Sequence, residues 1–153
     1  MMEAIEDDCI VDYKKTIEYP PVALSYGEKL IKGKNKDYLY PIPLGTYGNF
    51  SFIQGPPKCK KSFLVSLLTS VYLGNTNGFG GNIKGHRDNK HVLHFDTEQG
   101  KWHAQKLFKR VIEMNSFDYS ENYHTFGLRT IDYKLRIEFI QYCLEHKFEN
   151  IGL

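Results

Sequence analysis

Three lysines occupy four consecutive positions in the segment GPPKCKKS, directly before the apolar run FLVSLLTSVYL. The run has helical spacing, so Lys58, Lys60 and Lys61 are predicted to lie at the N-terminus of a buried helix. That end of a helix already carries partial positive charge, because its first N–H groups lack intrahelical acceptors. Cations are unfavourable there unless an anion binds among them, and the segment therefore predicts a phosphate-binding loop.

The residue types fit this chemistry one by one. Backbone N–H groups of the loop and of the first helical turn would converge on a phosphate. Gly55 would let the chain turn sharply, Lys61 would reach the β- and γ-phosphates, and Ser62 would offer its hydroxyl to Mg²⁺. We expect ATP and Mg²⁺ to be bound by the contiguous residues Gly55, Pro56, Pro57, Lys58, Cys59, Lys60, Lys61, Ser62 and Phe63.

Lys60 stands where loops of the pattern G-x-x-x-x-G-K-[ST] have their second glycine. We expect Lys60 to adopt an ordinary backbone conformation and to direct its side chain away from the phosphates or along them. The alternative interpretation of the whole segment is a solvated basic turn in front of a core helix.

A second candidate is the segment FDTEQG, which follows an apolar strand pattern. Ligands of parallel sheets bind beyond the carboxyl ends of the strands, so Asp96 and Glu98 are predicted to share an edge with the lysines. A carboxylate here could position and deprotonate a water molecule that attacks the γ-phosphate, or hold the metal through a water, and Glu98 is the predicted catalytic carboxylate beside Lys61. Alternatively, Glu98 only caps the next helix. Asp96 is expected either to contribute to the site or only to shape the turn.

Alternating strand and helix patterns must position these residues. Strands are predicted over 50–54, 91–96 and 123–128, helices over 61–73, 101–114 and 132–147, and the start of a further strand at Asn150. This order predicts an α/β fold, with a parallel sheet, right-handed crossovers and helices on both faces. The Gly/Asn-rich segment 75–89 is predicted to be a loop with a small hairpin.

The chain divides into residues 1–48, an expected lead-in with weak local structure, and residues 49–153, the α/β core. Because the pattern at Asn150 resembles the first residues of a strand, we expect the chain to be part of a longer protein. The aromatic residues of the N-terminal part are predicted to pack rather than to stack on single-stranded nucleic acid.

Composition narrows the function classes. The formal charge of +2 argues against a nucleic-acid coat or a membrane-surface protein, so basic function must be local. Three widely spaced cysteines lack C-x-x-C spacing and favour a reduced, cytoplasmic protein over a disulfide scaffold or a zinc site. The acidic N-terminus is unlike a signal peptide, and no apolar run is long enough to span a bilayer.

Other residues near the predicted site are candidates for secondary contacts with a ligand or a partner. His91 and His94 lie at strand positions that point to opposite faces, so packing is favoured over metal binding. Trp102 and His103 open the second predicted helix, where they could touch a nucleotide base or a partner subunit. Arg129 follows the third predicted strand and could meet a phosphate, a neighbouring subunit, or a carboxylate in a surface ion pair.

Taken together, GNFSFIQGPPKCKKSFLVSLL and HVLHFDTEQGKWHAQ resemble the RecA-like branch of P-loop ATPases. The closest resemblance is to AAA-type, RepA-helicase-like ATPases of bacterial mobile elements, some of which have a basic residue at the position of Lys60. The resemblance covers about residues 40–153. It implies Lys61 and Ser62 as nucleotide and Mg²⁺ ligands, Glu98 as catalytic acid, and a Walker B aspartate on the strand after Asn150.

The resemblance also implies a partner and an assembly, namely DNA and a homo-oligomeric ring or filament. Two alternatives use the same loop. One is a small-molecule or nucleoside kinase, for which an acceptor pocket and an arginine-bearing lid are not found in the sequence. The other is a non-catalytic nucleotide-binding assembly module, in which Lys60 would allow binding without turnover.

Overall fold

The computed structural model describes residues 9, 11, 13–34, 36–74, 77–115 and 120–152, which form a mixed α/β protein with three α-helices and two small sheets. The strands are β1 (Val22–Ile31), β2 (Tyr38–Thr46), β3 (Asn77–Gly78), β4 (Ile83–Gly85), β5 (Val92–Asp96) and β6 (Tyr123–Gly127). The helices are α1 (Lys61–Gly74), α2 (Lys101–Glu113) and α3 (Tyr133–Tyr142), and a π-helical turn over Cys143–Lys147 continues α3. Across these residues, no helix combines the length and apolarity needed to cross a membrane.

The N-terminal part contains an antiparallel sheet with the strand order β2-β1-β4-β3. The weak local structure predicted for residues 1–48 is therefore wrong over 22–31 and 38–46, while residues 1–8, 10, 12 and 35 lie outside the described residues. The sheet depends on a distant partner, since Leu24 of β1 pairs with Gly85 of β4. The predicted hairpin within 75–89 is confirmed as β3 and β4, and its role in joining β1 was not anticipated.

The parallel unit β5–α2–β6 is confirmed, with β5 and β6 paired from Val92↔Tyr123 to Asp96↔Gly127. Beside His91, Ile151 forms a parallel bridge, which matches the strand start predicted at Asn150. Within the described ranges the parallel sheet has only these two full strands, so the larger parallel sheet with helices on both faces is not seen.

The strand predicted over 50–54 is wrong, because this segment is extended without any strand partner in the described chain. Its aromatic side chains face solvent: Phe50 is 84% exposed and Phe52 is 87% exposed. Their rings pack on each other, edge to face, with centroids 5.5 Å apart, and on no other ring of the described residues. An alternating pattern predicts a strand only when a sheet is present to pair with it.

The main core joins both sheets through α1. Tyr72 and Leu73 of α1 are buried against Leu24, Ile83 and Val92, among other apolar residues. A chain of hydrogen bonds crosses this core: the Tyr47 hydroxyl donates to the carbonyl oxygen of His86 at 2.6 Å. It must therefore accept from the Tyr72 hydroxyl, 2.8 Å away. Burial raises the pKa of Tyr72, so this phenol stays protonated and donates.

The third helix, α3, does not bury the face that its sequence pattern predicts. The predicted apolar face of the helix was Tyr133, Ile137, Ile140 and Leu144, but Tyr133, Ile137 and Leu144 are each exposed by half or more. The helix instead packs through Phe139, whose ring lies edge to face with Phe126 at 5.3 Å. Its predicted start is confirmed, because the Asp132 carboxylate accepts the N–H of Lys134 at 3.0 Å.

Acid should destabilise the fold through His94. Its Nδ1 lies 2.8 Å from the Tyr123 hydroxyl, its ring packs against Phe108, and burial lowers its pKa despite the nearby Asp96 carboxylate. The unfolded chain then binds a proton near pH 6.5 before the folded protein does, so stability is full above that pH and falls as the pH drops. Urea unfolding at pH 7.5 and 5.5 measures this loss. His94→Gln should reduce the loss, and the exposed-residue control His103→Gln should leave it unchanged; equal pH dependence in both variants would contradict the assignment.

Candidate phosphate-binding site

The side chain of Lys61 turns back across the loop that precedes α1. Its ammonium donates hydrogen bonds to the carbonyl oxygen of Gly55 at 2.7 Å and to that of Pro56 at 3.0 Å. It also lies 3.9 Å from the sulfur of Cys59. Neutral carbonyls orient an ammonium without cancelling its charge, so the loop holds a positive group at a fixed place.

Gly55 is needed because another part of the loop comes very close. A Cβ atom at this position would lie 2.7 Å from the sulfur of Cys59, which is closer than real Cβ contacts. Close approach, and not a left-handed backbone, therefore accounts for the glycine. Gly55 and Cys59 thus lie against each other in the protein without a ligand.

Two of the loop lysines have left-handed backbones, Lys58 with φ of 65° and Lys60 with φ of 62°. The ordinary conformation predicted for Lys60 is wrong. The Lys60 carbonyl oxygen accepts the N–H groups of Phe63 and Leu64, at 2.9 and 3.2 Å, so the helix begins directly after this strained residue. Such a backbone costs a non-glycine residue about 1 kcal/mol, and strain of this kind is typical of functional loops.

The N-terminus of α1 has backbone N–H groups without an acceptor among the described residues and no acidic side chain in its first turn. Among the described residues, no protein group accepts the backbone N–H of Lys60, Lys61 or Ser62, and the first turn of α1 has no acidic side chain. Ser62 and Phe63 are exposed at this end, as are Pro57 and Lys58 in the loop. Backbone donors, an oriented ammonium and two further lysines are the groups that an anion-binding surface requires.

Asp96 shapes the turn that follows β5. It is 9% exposed, and its Oδ1 accepts the backbone N–H groups of Glu98 at 2.9 Å and Gln99 at 2.7 Å. The carboxylate thus fixes the path of the chain from the strand to α2. Of the two roles left open by the sequence, the structure supports the turn-forming one.

Glu98 is exposed on this turn. The residue that caps α2 is Gly100, and no side chain makes the capping hydrogen bond. Glu98 therefore makes no capping hydrogen bond to α2, and its predicted interaction with the helix dipole stays a prediction. The Asp96 carboxylate holds the backbone of Glu98, and the Glu98 side chain is exposed.

Contacts between α1 and α2 show the direction in which the two helices run. Phe63 near the start of α1 lies under the Arg110 guanidinium at 5.6 Å, while Ser70 near its end accepts hydrogen bonds from Asn115, just after α2. The helices thus run in the same direction. Since α2 begins about 13 Å before Arg110, the turn that carries Glu98 lies toward the loop end of the pair.

Arg129 brings another positive group to this edge. Its Nη1 would lie 3.6 Å from a Cβ at Gly100, at the N-terminus of α2. Arg136 holds the Arg129 segment by donating to the carbonyl oxygens of Arg129 and Ile131, at 2.9 and 2.7 Å. Within the described ranges Arg129 forms no ion pair, so the surface ion pair considered for it is not found.

The remaining sequence candidates pack against other side chains. His91 lies 3.0 Å from His124 and His94 bonds Tyr123, as expected for packing roles. The residues described include no group of three or more side chains that could hold a metal ion. Trp102 is 60% exposed and lies against His103 and under the Lys106 ammonium, which is 4.0 Å from its ring. The contact of Arg110 with Phe63 was missed, because no local pattern shows which helices will be neighbours.

Comparisons with known proteins leave the family open. No protein-family model matches the chain, and no curated protein or solved structure is similar enough to count as a match. The interpretation of the site therefore rests on its residues and their geometry.

The left-handed backbone at Lys60 gives a direct test of the loop conformation. Lys60→Gly should leave the free energy of unfolding unchanged or raise it by up to about 1 kcal/mol, because glycine adopts this backbone without strain. Lys60→Val loses the same charge but resists a positive φ, and should be less stable than Lys60→Gly by about 1–2 kcal/mol. Urea unfolding compares the two variants. Equal stability would show that Lys60 does not require this conformation.

Proposed function

We propose that the protein binds Mg·ATP at Gly55–Ser62 and is the N-terminal portion of a RecA-like P-loop ATPase. The proposal depends on the geometry of this loop. The loop has left-handed residues and leads into the N-terminus of α1, whose first turn has no acidic side chain, and two carbonyl oxygens of the loop hold the Lys61 ammonium across it. A solvated basic turn would have no reason to maintain two left-handed lysines. A phosphate chain among the lysines supplies that reason.

Each group has a role in this proposal. The N–H groups of Lys60, Lys61 and Ser62 accommodate phosphate oxygens, and the Lys61 ammonium meets the terminal phosphates as a point charge. The exposed Ser62 hydroxyl faces the same end and would hold Mg²⁺. When bound, Mg²⁺ neutralises charge on the β- and γ-phosphate oxygens.

Glu98 is the proposed general base. It lies on the turn after β5, at the loop end of the α1–α2 pair, and is neither buried nor used as a helix cap. A carboxylate placed in this way can orient the attacking water and take its proton. Asp96 supports it indirectly by fixing the turn.

The cellular setting follows from the resemblance alone. ATP hydrolysis would be coupled to DNA transactions, such as replication or the mobilisation of a mobile element, by a homo-oligomeric ring or filament in the cytoplasm. Free Cys9, Cys59 and Cys143 are consistent with a reducing compartment. A non-catalytic nucleotide-binding module is the second candidate, favoured by the lysine in place of the second loop glycine.

Calorimetry with ATP in the presence and absence of Mg²⁺ tests the proposal. We expect saturable, magnesium-dependent binding that is competed by ADP, and phosphate release by the complete protein. Binding without turnover, with or without DNA, would favour the non-catalytic module. No magnesium-dependent uptake of ATP or GTP would overturn the nucleotide assignment.

Arg129 should contribute to the same site. Because its guanidinium lies beside Gly100 without a carboxylate partner in the described chain, its charge is available to a phosphate. Arg129→Ala should weaken ATP binding or slow hydrolysis by about tenfold, the typical effect of one charge-assisted hydrogen bond. Arg110→Ala is the matched control, since that guanidinium lies against Phe63, and should change both quantities less. Equal effects of the two variants would contradict a phosphate contact by Arg129.

A further inference from the structure

The distal part of the β1–β2 pair extends beyond the four-stranded sheet. The third strand of that sheet, β4, pairs with β1 only over Leu24, Ser25 and Tyr26. Further along, residues 28–31 pair with residues 38–41 and with no other strand among the described residues. This part, together with residues 32–34, 36 and 37 between the two strands, is the basic ribbon. It is a two-stranded arm about 13 Å long, which is more than the fold needs to complete its sheet.

Positive charge is concentrated on the basic ribbon. It carries Lys29, Lys32, Lys34 and Lys36 against two acidic residues, Glu28 and Asp37, in a chain whose net charge is only +2. All four lysines are exposed, and none forms an ion pair within the described residues. The turn itself is closed, since a Cβ at Gly33 would overlap the carbonyl oxygen of Lys36. The close approach of the backbone at Gly33 and Lys36 brings the chain segments that carry these lysines together.

One face of the ribbon combines a lysine with aromatic rings. Lys29 pairs with Tyr40 and Ile31 pairs with Tyr38, so these four side chains share a face, because directly opposed residues point the same way. Tyr38 is 52% exposed, whereas Tyr40 packs edge to face against Tyr19 with centroids 6.3 Å apart. The packing expected for the N-terminal aromatics therefore fits Tyr40, while Tyr38 remains open to a planar partner.

We propose that the basic ribbon binds single-stranded nucleic acid, with its lysines on the phosphates and Tyr38 stacked on a base. Cationic side chains interleaved with exposed aromatic rings are how such strands are held without sequence preference. The inference rests on the proposed function for its setting, since an ATPase that acts on DNA needs a DNA contact. It does not rest on the nucleotide site, which uses other residues.

Fluorescence anisotropy with a labelled oligothymidine of about 20 nucleotides tests the inference. Lys32→Gln/Lys34→Gln should weaken binding and lower the slope of log affinity against log salt by about 1.4, because two phosphate contacts are lost. Lys109→Gln/Lys134→Gln removes the same charge from α2 and α3 and should leave the slope unchanged. Tyr38→Ala should weaken binding about tenfold, and Tyr38→Phe should restore it because the stacking ring remains.

Two further ligands separate the ribbon from other partners. The inference would be overturned if a duplex of the same length bound more tightly than the single strand and its affinity did not change in Tyr38→Ala. It would also be overturned if the protein bound anionic vesicles but not the oligonucleotide. Equal effects of the two lysine pairs would also overturn it. ATP titration of the ribbon variants shows which proposal fails. If the variants bind ATP and also bind the oligonucleotide as well as the parent protein does, the ribbon proposal is wrong. If the variants lose oligonucleotide binding and neither they nor the parent protein binds ATP, the nucleotide-site proposal is wrong.

Discussion

Lys61→Ala should lose magnesium-dependent ATP binding by about 10- to 100-fold, the effect expected when a charged hydrogen-bond donor to phosphate is removed. Two losses combine in this variant. The ligand loses the point charge at its terminal phosphates, and the loop loses the bridge that joins the Gly55 and Pro56 carbonyls to the first residue of α1. Calorimetry with Mg·ATP measures the change in affinity.

The matched control is Lys58→Ala, which removes an equal charge from the same loop. Lys58 has no hydrogen bond across the loop among the described contacts, so its removal should weaken ATP binding by only about threefold, as for an exposed charge. Lys61→Arg keeps the charge but not the compact ammonium, and should fall between the two. If Lys61→Ala bound ATP as well as the parent protein, with an unchanged urea midpoint, the nucleotide site would be wrongly placed.

The predictable parts of the fold depend on residues close together in sequence. The first helix follows from apolar residues at helical spacing and its end at Gly74, and both bounds were predicted within one residue. The parallel unit was predicted for the same reason, because two short apolar strands flank one amphipathic helix. The loop lysines were identified from charge at a helix start, which is also a local signal.

The parts that were missed depend on distant partners. The strand β1 is a strand because β2 and β4 pair with it, and the latter is about 60 residues further along the chain. Phe50 and Phe52 alternate as well as any strand, yet no strand of the described chain covers them, and they are exposed. Secondary structure at these places is decided by which edges are available, and a local pattern does not contain that information.

Lys60 shows the same limit within the site. The sequence suggested that a side chain at this position would force an ordinary backbone, since lysine avoids positive φ. The structure instead keeps the left-handed turn that a glycine would have made, because the loop is closed at both ends by the Lys61 bridge and by the bonds from Phe63 and Leu64 to the Lys60 carbonyl. Local preference is overruled where the surrounding contacts fix the path of the chain.

Glu98→Gln should abolish most ATP hydrolysis while leaving ATP binding nearly intact. The amide keeps the size and polarity of the carboxylate but does not accept a proton, and removing a general base typically costs about 10²- to 10⁴-fold in rate. Because Glu98 is exposed on a turn fixed by Asp96, the substitution should not alter the fold. Phosphate release by the complete protein measures kcat, and calorimetry measures the affinity for Mg·ATP.

Asp96→Asn separates a catalytic role of Glu98 from a general effect of charge at this edge. An asparagine Oδ1 still accepts the N–H groups of Glu98 and Gln99, so the turn persists while one negative charge is lost. Hydrolysis should then stay within about threefold of the parent, since one nearby charge contributes only modestly to the barrier. Normal ATP hydrolysis by Glu98→Gln would show that Glu98 does not take part in the reaction. Equal losses of hydrolysis in Glu98→Gln and Asp96→Asn would show that Glu98 acts only through its negative charge. A loss confined to Glu98→Gln would identify the Glu98 carboxylate, on the turn after β5, as the group that activates water.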